Sequence, residues 1–301
     1  MSVKISKRNL LFTLYTVGAL LLVVTGVLWW DHRTIEPERV FWGTIDQGMK
    51  TSGVTVKASQ AANGSSLNQT IQYSMGGQSV TRTLTSMVQS GTSIVDETIG
   101  TTTADYTRYT SIKTDQKTAS GKAMDFSKVL GVWAKTDHAF GESQQLPQAI
   151  LGTGLPLGGV VIPIAQLQPE VRQKLATQIK HNGVYKISYK DVTKTHKNGR
   201  LLYTYKASVK PSAYAAMMQQ FGTATGLHTF DSLKPEQYAS QPPFTLHLTV
   251  DVRAHILVGA TTDDGTITQA YSGYDMPAII KLPAQTVTSA ELQKRLQQMQ
   301  Q

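Results

Sequence analysis

No side chain from Leu10 to Trp30 is charged, and no face of this stretch is polar. At about 1.5 Å per residue, a helix of this length spans roughly 30 Å, the hydrocarbon thickness of a bilayer. A signal-peptide core is shorter, about 7–15 residues, and ends in small residues at a cleavage site. Here the stretch ends in Trp29-Trp30-Asp31-His32-Arg33, and a tryptophan pair followed by charges suits a membrane–water interface. The pattern predicts an uncleaved transmembrane helix over 10–30. Lys4, Lys7 and Arg8 precede it, so residues 1–9 are expected in the cytoplasm and residues 31–301 on the extracytoplasmic side of the cell membrane.

Beyond the apolar run the periodicity changes twice. Val40, Phe41, Thr44, Ile45 and Gly48 share one helical stripe, and Pro37 suits a first turn, so 35–49 is expected as a helix. From Gly53 to Thr114 threonine, serine, valine, isoleucine and tyrosine dominate between turn signals, which predicts about five antiparallel strands. A short helix or turn is expected over 125–133. Helices are expected over 168–181, with Val171, Leu175 and Ile179 on one face, and over 211–221, with Tyr214, Met217, Met218 and Phe221 on one face. Strands are expected over 244–252, 256–262 and 266–274, and a last helix over 289–301.

The stretch 184–210 alternates. Tyr185, Ile187 and Tyr189 lie on one side; on the return strand Leu201, Tyr203, Tyr205, Ala207 and Val209 lie together. A two-residue Asn198-Gly199 turn would set Tyr189 against Ser208, on the wrong face. A three-residue loop, Lys197-Asn198-Gly199, pairs 189 with 207 and 187 with 209 and brings the apolar faces into agreement, so that loop is expected. The other face carries Lys186, Lys190, Lys206 and Lys210, either as a solvated face or as a contact for anionic lipid surfaces.

Composition narrows the chemistry. The chain has no cysteine, which excludes a disulfide framework, thiolate metal sites and a lipidated N-terminal cysteine. Its net charge is +9, of which Lys4, Lys7 and Arg8 supply three. The histidines (His32, His138, His181, His196, His228, His247 and His255) show no metal-ligand spacing, and there is no nucleophile elbow, P-loop or dinucleotide fingerprint. No cofactor, no catalytic activity and no nucleic-acid partner are expected. One further region stands out: from Ser143 to Pro169 nothing is charged, yet Pro147, Pro156 and Pro163 forbid a membrane helix. Such a segment packs on a core, covers a site or touches something apolar.

The segments "FWGTIDQGMKTSGVTVKAS" (41–59), "YTYKASVKPSAYAAMM" (203–218) and "PFTLHLTVDVRAHILVGAT" (243–261), in this order of elements, resemble the LolA/LolB and LppX/LprG-like lipoprotein superfamily. The resemblance covers about 35–285. It implies an α+β fold in which a strongly curved antiparallel sheet, a half-barrel, wraps around inserted helices and leaves an apolar cavity for a lipid or acylated molecule. Placed in that frame, Tyr185, Tyr189, Tyr203 and Tyr205 would face Tyr214, Met217, Met218 and Phe221 across the cavity, with Leu151 and Leu155 in the uncharged loop beside it. The same positions fit a plain core. In that case the domain is a sensor or a scaffold for envelope proteins. Unlike those relatives, which are released or lipidated, this chain is expected to stay tethered through Leu10–Trp30.

Overall fold

The computed structural model describes residues 22–26, 33, 35–62, 64–75, 79–118, 120–142, 144–145, 161–276 and 278–299. Residues 22–26 are helical, with Leu22, Val23 and Val24 exposed. The rest of the expected span 10–30 lies outside the described residues. Among the described residues no helix is long and apolar enough to cross a membrane.

Helix α1 (Glu36–Gly48) opens with Pro37 and two acids, Glu36 and Glu38, which suit the positive end of the helix dipole. Its buried stripe is Pro37, Val40, Phe41, Thr44, Ile45 and Gly48, which contains every position that the periodicity picks out. Five strands follow as expected: β1 (Gly53–Ala62), β2 (Ser65–Ser74), β3 (Val80–Gln89), β4 (Thr92–Thr101) and β5 (Ala104–Thr114). Next come β6 (Ala134–Asp137), α2 (Pro169–His181), β7 (Tyr185–Ile187), β8 (Thr193–Lys197), β9 (Arg200–Val209) and α3 (Pro211–Thr225). The chain ends with β10 (Phe244–Asp251), β11 (Ile256–Thr262), β12 (Ile267–Ser272), β13 (Val287–Thr288) and α4 (Ser289–Gln298). Proline starts α2 and α3, and Gly226 ends α3 in the left-handed conformation at φ 70°.

The strands join into one curved, unclosed sheet in the order β13-β6-β5-β4-β3-β2-β1-β12-β11-β10-β9-β7, with β8 also on β9. The fold is α+β, but the sheet is mixed where an antiparallel one was expected. β13 runs parallel to β6, with Val287 opposite Ala134. Two residues are too few to show a strand periodicity, so this pair left no trace in the pattern.

Helices α1, α2 and α3 pack on one face of the sheet, here called inner. The inner face supplies Val54 and Val56 from β1, Ile71 and Tyr73 from β2, Tyr203, Tyr205, Ala207 and Val209 from β9, Leu246, Leu248 and Val250 from β10, and Tyr271 from β12. Phe41, Ile45, Leu175, Ile179, Met217, Met218 and Phe221 close the other side. Each valine, leucine, isoleucine, phenylalanine or methionine of this set contributes about 1.5–3 kcal/mol through burial. Val161, Ile162, Ile164 and Ala165 return from the uncharged segment directly into this core. A second cluster, Val129, Ala134 and Leu292 with Tyr109, Ile112 and Leu296 against it, seats α4 at the β5–β6 end.

The expected three-residue hairpin loop is corrected. Lys197 pairs with Arg200 around a two-residue turn, with Asn198 at φ 51° and Gly199 at φ 72°. That is the left-handed pair of a type I′ hairpin. The hairpin is not continuous: Tyr189–Asp191 form a 3-10 turn, with the Ser188 hydroxyl on Asp191 at 2.6 Å. This turn shifts the ladder, so Tyr185 meets Val209 and Ile187 meets Ala207. The apolar faces do agree, but the 3-10 turn achieves it rather than the loop.

Candidate ligand-binding site

The inner face of the sheet is not covered evenly. Core packing spans β7 through β2, and the α4 cluster covers the end of β5. Between them lies a trough of about 400 Å³ over β2–β5. Period-two alternation places its lining. β2 gives Leu67, Gln69 and Ile71; β3 gives Thr83, Thr85 and Met87; β4 gives Ile94, Asp96 and Thr98; β5 gives Thr107 and Tyr109; Gln145 stands at the rim. The cross-strand register sets Asp96 between Thr85 on β3 and Tyr109 on β5. The Gln69 amide donates to the Thr85 hydroxyl at 3.3 Å. The floor is thus mixed: Leu67, Met87 and Ile94 lie together at one end, and Thr83, Thr98 and Thr107 lie with Ile71 at the other.

Asp96 is the charged group of the trough. Burial pushes its carboxyl up to about 6, against the opposing hydrogen bond from Thr85. The Tyr109 phenol is raised as well, by burial first and by the nearby Asp96 charge second.

A neighbouring carboxylate positions the rim. Asp105 accepts from the backbone N–H groups of Gln144 at 2.8 Å and Gln145 at 3.1 Å, and lies 2.9 Å from His138 Nε2. Burial raises its carboxyl in spite of these partners. Of the uncharged segment, Gln145 stands at the trough's rim and Val161 lies in the core.

The opposite, outer face carries a more open hollow of about 440 Å³ over β12 and β1–β4, lined by Lys57, Ser59, Thr70, Leu84, Ser86 and Val95, among others. Among the described elements no helix packs beside it. The inner trough is the better site because packed cores wall it at both ends.

The residues singled out from the sequence behave differently. Tyr185, Tyr203, Tyr205, Tyr214, Met217, Met218 and Phe221 are buried in one cluster and touch one another and α1. Phe41 of α1 stacks edge-on against Tyr185 at 5.7 Å and Tyr205 at 5.5 Å. The Tyr185 hydroxyl donates to the Val161 carbonyl at 2.5 Å. Tyr189 is half-buried at the end of this group, its phenol pushed up to about 12 mainly by burial. These side chains fill the space between β9 and α3 with one another. Leu151 and Leu155 lie outside the described residues. Lys186, Lys190, Lys206 and Lys210 are all exposed. Lys186 sits opposite Ser208, between Lys206 and Lys210 on the outer face of β9. Lys206 contacts Asp263 at 3.3 Å, which His247 Nε2 also meets at 2.9 Å.

No family model matches this chain, and no curated protein matches it. Among solved structures it is similar to LprF from Mycobacterium bovis, with 12% identity and a TM-score of 0.44 over 84% of this chain and 99% of that one. It is also similar to a porin-like protein from Bacteroides uniformis, with 10% identity and a TM-score of 0.22 over 74% of this chain and 96% of that one.

Proposed function

We propose that this chain is a membrane-anchored, extracytoplasmic, non-catalytic domain that binds a lipid or other apolar, acylated molecule in the trough over β2–β5. The observation that carries the reading is the trough itself. Its volume of about 400 Å³ falls in the range of small-molecule sites. Leu67, Ile71, Met87 and Ile94 offer apolar contact, and the methionine adapts to varied chains. Thr83, Thr85, Thr98, Thr107 and Tyr109 offer hydroxyls that orient a polar end. The anchor Leu10–Trp30 and the extracytoplasmic placement rest on the sequence pattern alone. A tethered domain holds, senses or hands over its ligand at short range.

The test is mass spectrometry of organic extracts from the full chain purified from membranes. Stoichiometric lipid in the wild type, lost in Thr98→Trp and kept in Thr98→Val, is the expected result. A ligand-free, stable wild type would overturn the reading. It would favour the second one, a sensor or scaffold for envelope proteins, for which the filled space between β9 and α3 speaks.

A further inference from the structure

We propose that the molecule held in the trough carries a cationic, ammonium-type head that seats on Asp96. This rests on the trough being a ligand site.

Charge is divided unevenly between the two faces of β1–β5. These strands carry four cations: Lys57, Arg82, Arg108 and Lys113. The register puts every one of them on the outer face. Lys57 lies opposite Thr70, Thr70 opposite Leu84, Leu84 opposite Glu97 and Glu97 opposite Arg108. Arg82 faces Ile99 and Lys113 faces Ser93 in the same phase. The outer acid, Glu97, is clamped by Arg82 at 2.6 Å and Arg108 at 2.5 Å.

The inner face of these strands carries two acids and no cation. Asp105 is engaged by two backbone N–H groups and His138. Asp96 has no ion-pair partner among the described residues; the Thr85 hydroxyl and its own backbone N–H are its hydrogen-bond donors. Among the described residues no lysine, arginine or histidine lines the trough. Residues 143–169 are uncharged, and the cations outside the described residues are Lys4, Lys7, Arg8 and His32.

A half-buried carboxylate without a countercharge loses hydration that its hydrogen bonds repay only in part. An ammonium group from a ligand restores the balance at that point. A phosphate or carboxylate head meets repulsion there instead. The hydroxyls of Thr85 and Tyr109, the cross-strand neighbours of Asp96, can accept the remaining N–H groups. The alkyl part then runs along Leu67, Ile71, Met87 and Ile94. The chain's net charge of +9 disfavours loose binding of cations elsewhere, so a preference for ammonium is informative.

Three fluorescent dodecyl probes, ending in an ammonium, a hydroxyl or a carboxylate, would be titrated below micelle formation against the full chain. The expected order is ammonium, hydroxyl, carboxylate, with about tenfold between the first two. Asp96→Asn should bring the ammonium probe to the level of the hydroxyl probe and leave the hydroxyl probe unchanged; Asp96→Glu should keep the preference. If the carboxylate binds as well as the ammonium, or the preference survives in Asp96→Asn, the head-group proposal is overturned while the ligand site stands. If no probe binds the folded wild type, the ligand site and the proposal fall together.

Discussion

The hydroxyl of Tyr205 donates to the backbone carbonyl of Pro37 at 2.9 Å, across 168 residues of sequence. The bond is buried and ties the first turn of α1 to the middle of β9. A helix N-terminal turn is thereby fixed to the sheet by a side chain whose ring also packs against Phe41. Tyr205→Phe keeps the ring and orphans the carbonyl. Denaturant unfolding should show a loss of about 1–3 kcal/mol, the cost of an unsatisfied buried acceptor.

Gly48 is where α1 meets the returning segment. A Cβ added there would lie 2.6 Å from the Pro163 carbonyl oxygen, and Gly48's own carbonyl accepts from Ala165 N–H at 3.1 Å. Gly48→Ala forces backbone to move on one side or the other. Its gain in helix propensity, about 1 kcal/mol, does not offset this. A lowered unfolding midpoint is expected, whereas an added Cβ on the exposed face of α1 should be tolerated.

Glu97 is buried on the outer face between two guanidinium groups, with Arg108 stacked on Trp133 at 4.6 Å. Burial pushes its carboxyl up, but the hydrogen bonds from Arg108 and Arg82 prevail and hold it below the usual range. A lowered folded-state value means stability that is present above about 4.5, the unfolded value, and is lost as pH falls through the folded value. Glu97→Gln should cost about 1–3 kcal/mol at neutral pH and flatten the acid limb of the stability profile.

Asp96 has the opposite sign. Its carboxyl is raised from 3.8 to about 6, so the folded state favours the protonated form. That contribution is fully present below 3.8 and is lost as pH rises through about 6. Asp105 shifts in the same direction, so the wild-type profile alone does not isolate Asp96. The difference between Asp96→Asn and wild type does. The variant should be the more stable protein at pH 7.5, with the gap closing as pH falls through the window from about 6 to 3.8.

The type I′ turn gives a backbone prediction. Asn198 and Gly199 both have positive φ. Gly199→Val places a β-branched residue in the left-handed region and should cost about 1–2 kcal/mol, the penalty of that conformation for an L-residue. Asn198→Gly, by contrast, should change stability by a few tenths.

Much of this architecture is readable from the residues because periodicity is local. The stripe Val40, Phe41, Thr44, Ile45 and Gly48 marks α1, and alternation marks β1–β5, β9 and β10–β12. The junction of Val209 with Pro211 marks where strand gives way to helix. The hairpin was misread because alternation assumes an unbroken ladder, and the 3-10 turn at Tyr189–Asp191 breaks it. The trough was not legible for a different reason. Thr83, Thr85, Thr98 and Thr107 look like a solvated strand face until the placement of the helices is known. One signal was there: in "TSIVDETIG" Asp96 shares a face with Ile94, an acid in the apolar phase of a strand. The tyrosines and methionines, chosen for their apolar periodicity, belong to the packing between β9 and α3. Those side chains define the core beside the trough rather than its floor.

The most direct test of the account is to map where a ligand sits. The full chain would be illuminated with a diazirine-bearing long-chain alcohol, digested and sequenced by tandem mass spectrometry. Labels on Leu67–Ile71, Thr83–Met87 and Ile94–Thr98, suppressed by Thr98→Trp, are the expected result. Labels confined to α3 and β9, or to the outer-face hollow around Leu84 and Val95, would contradict it.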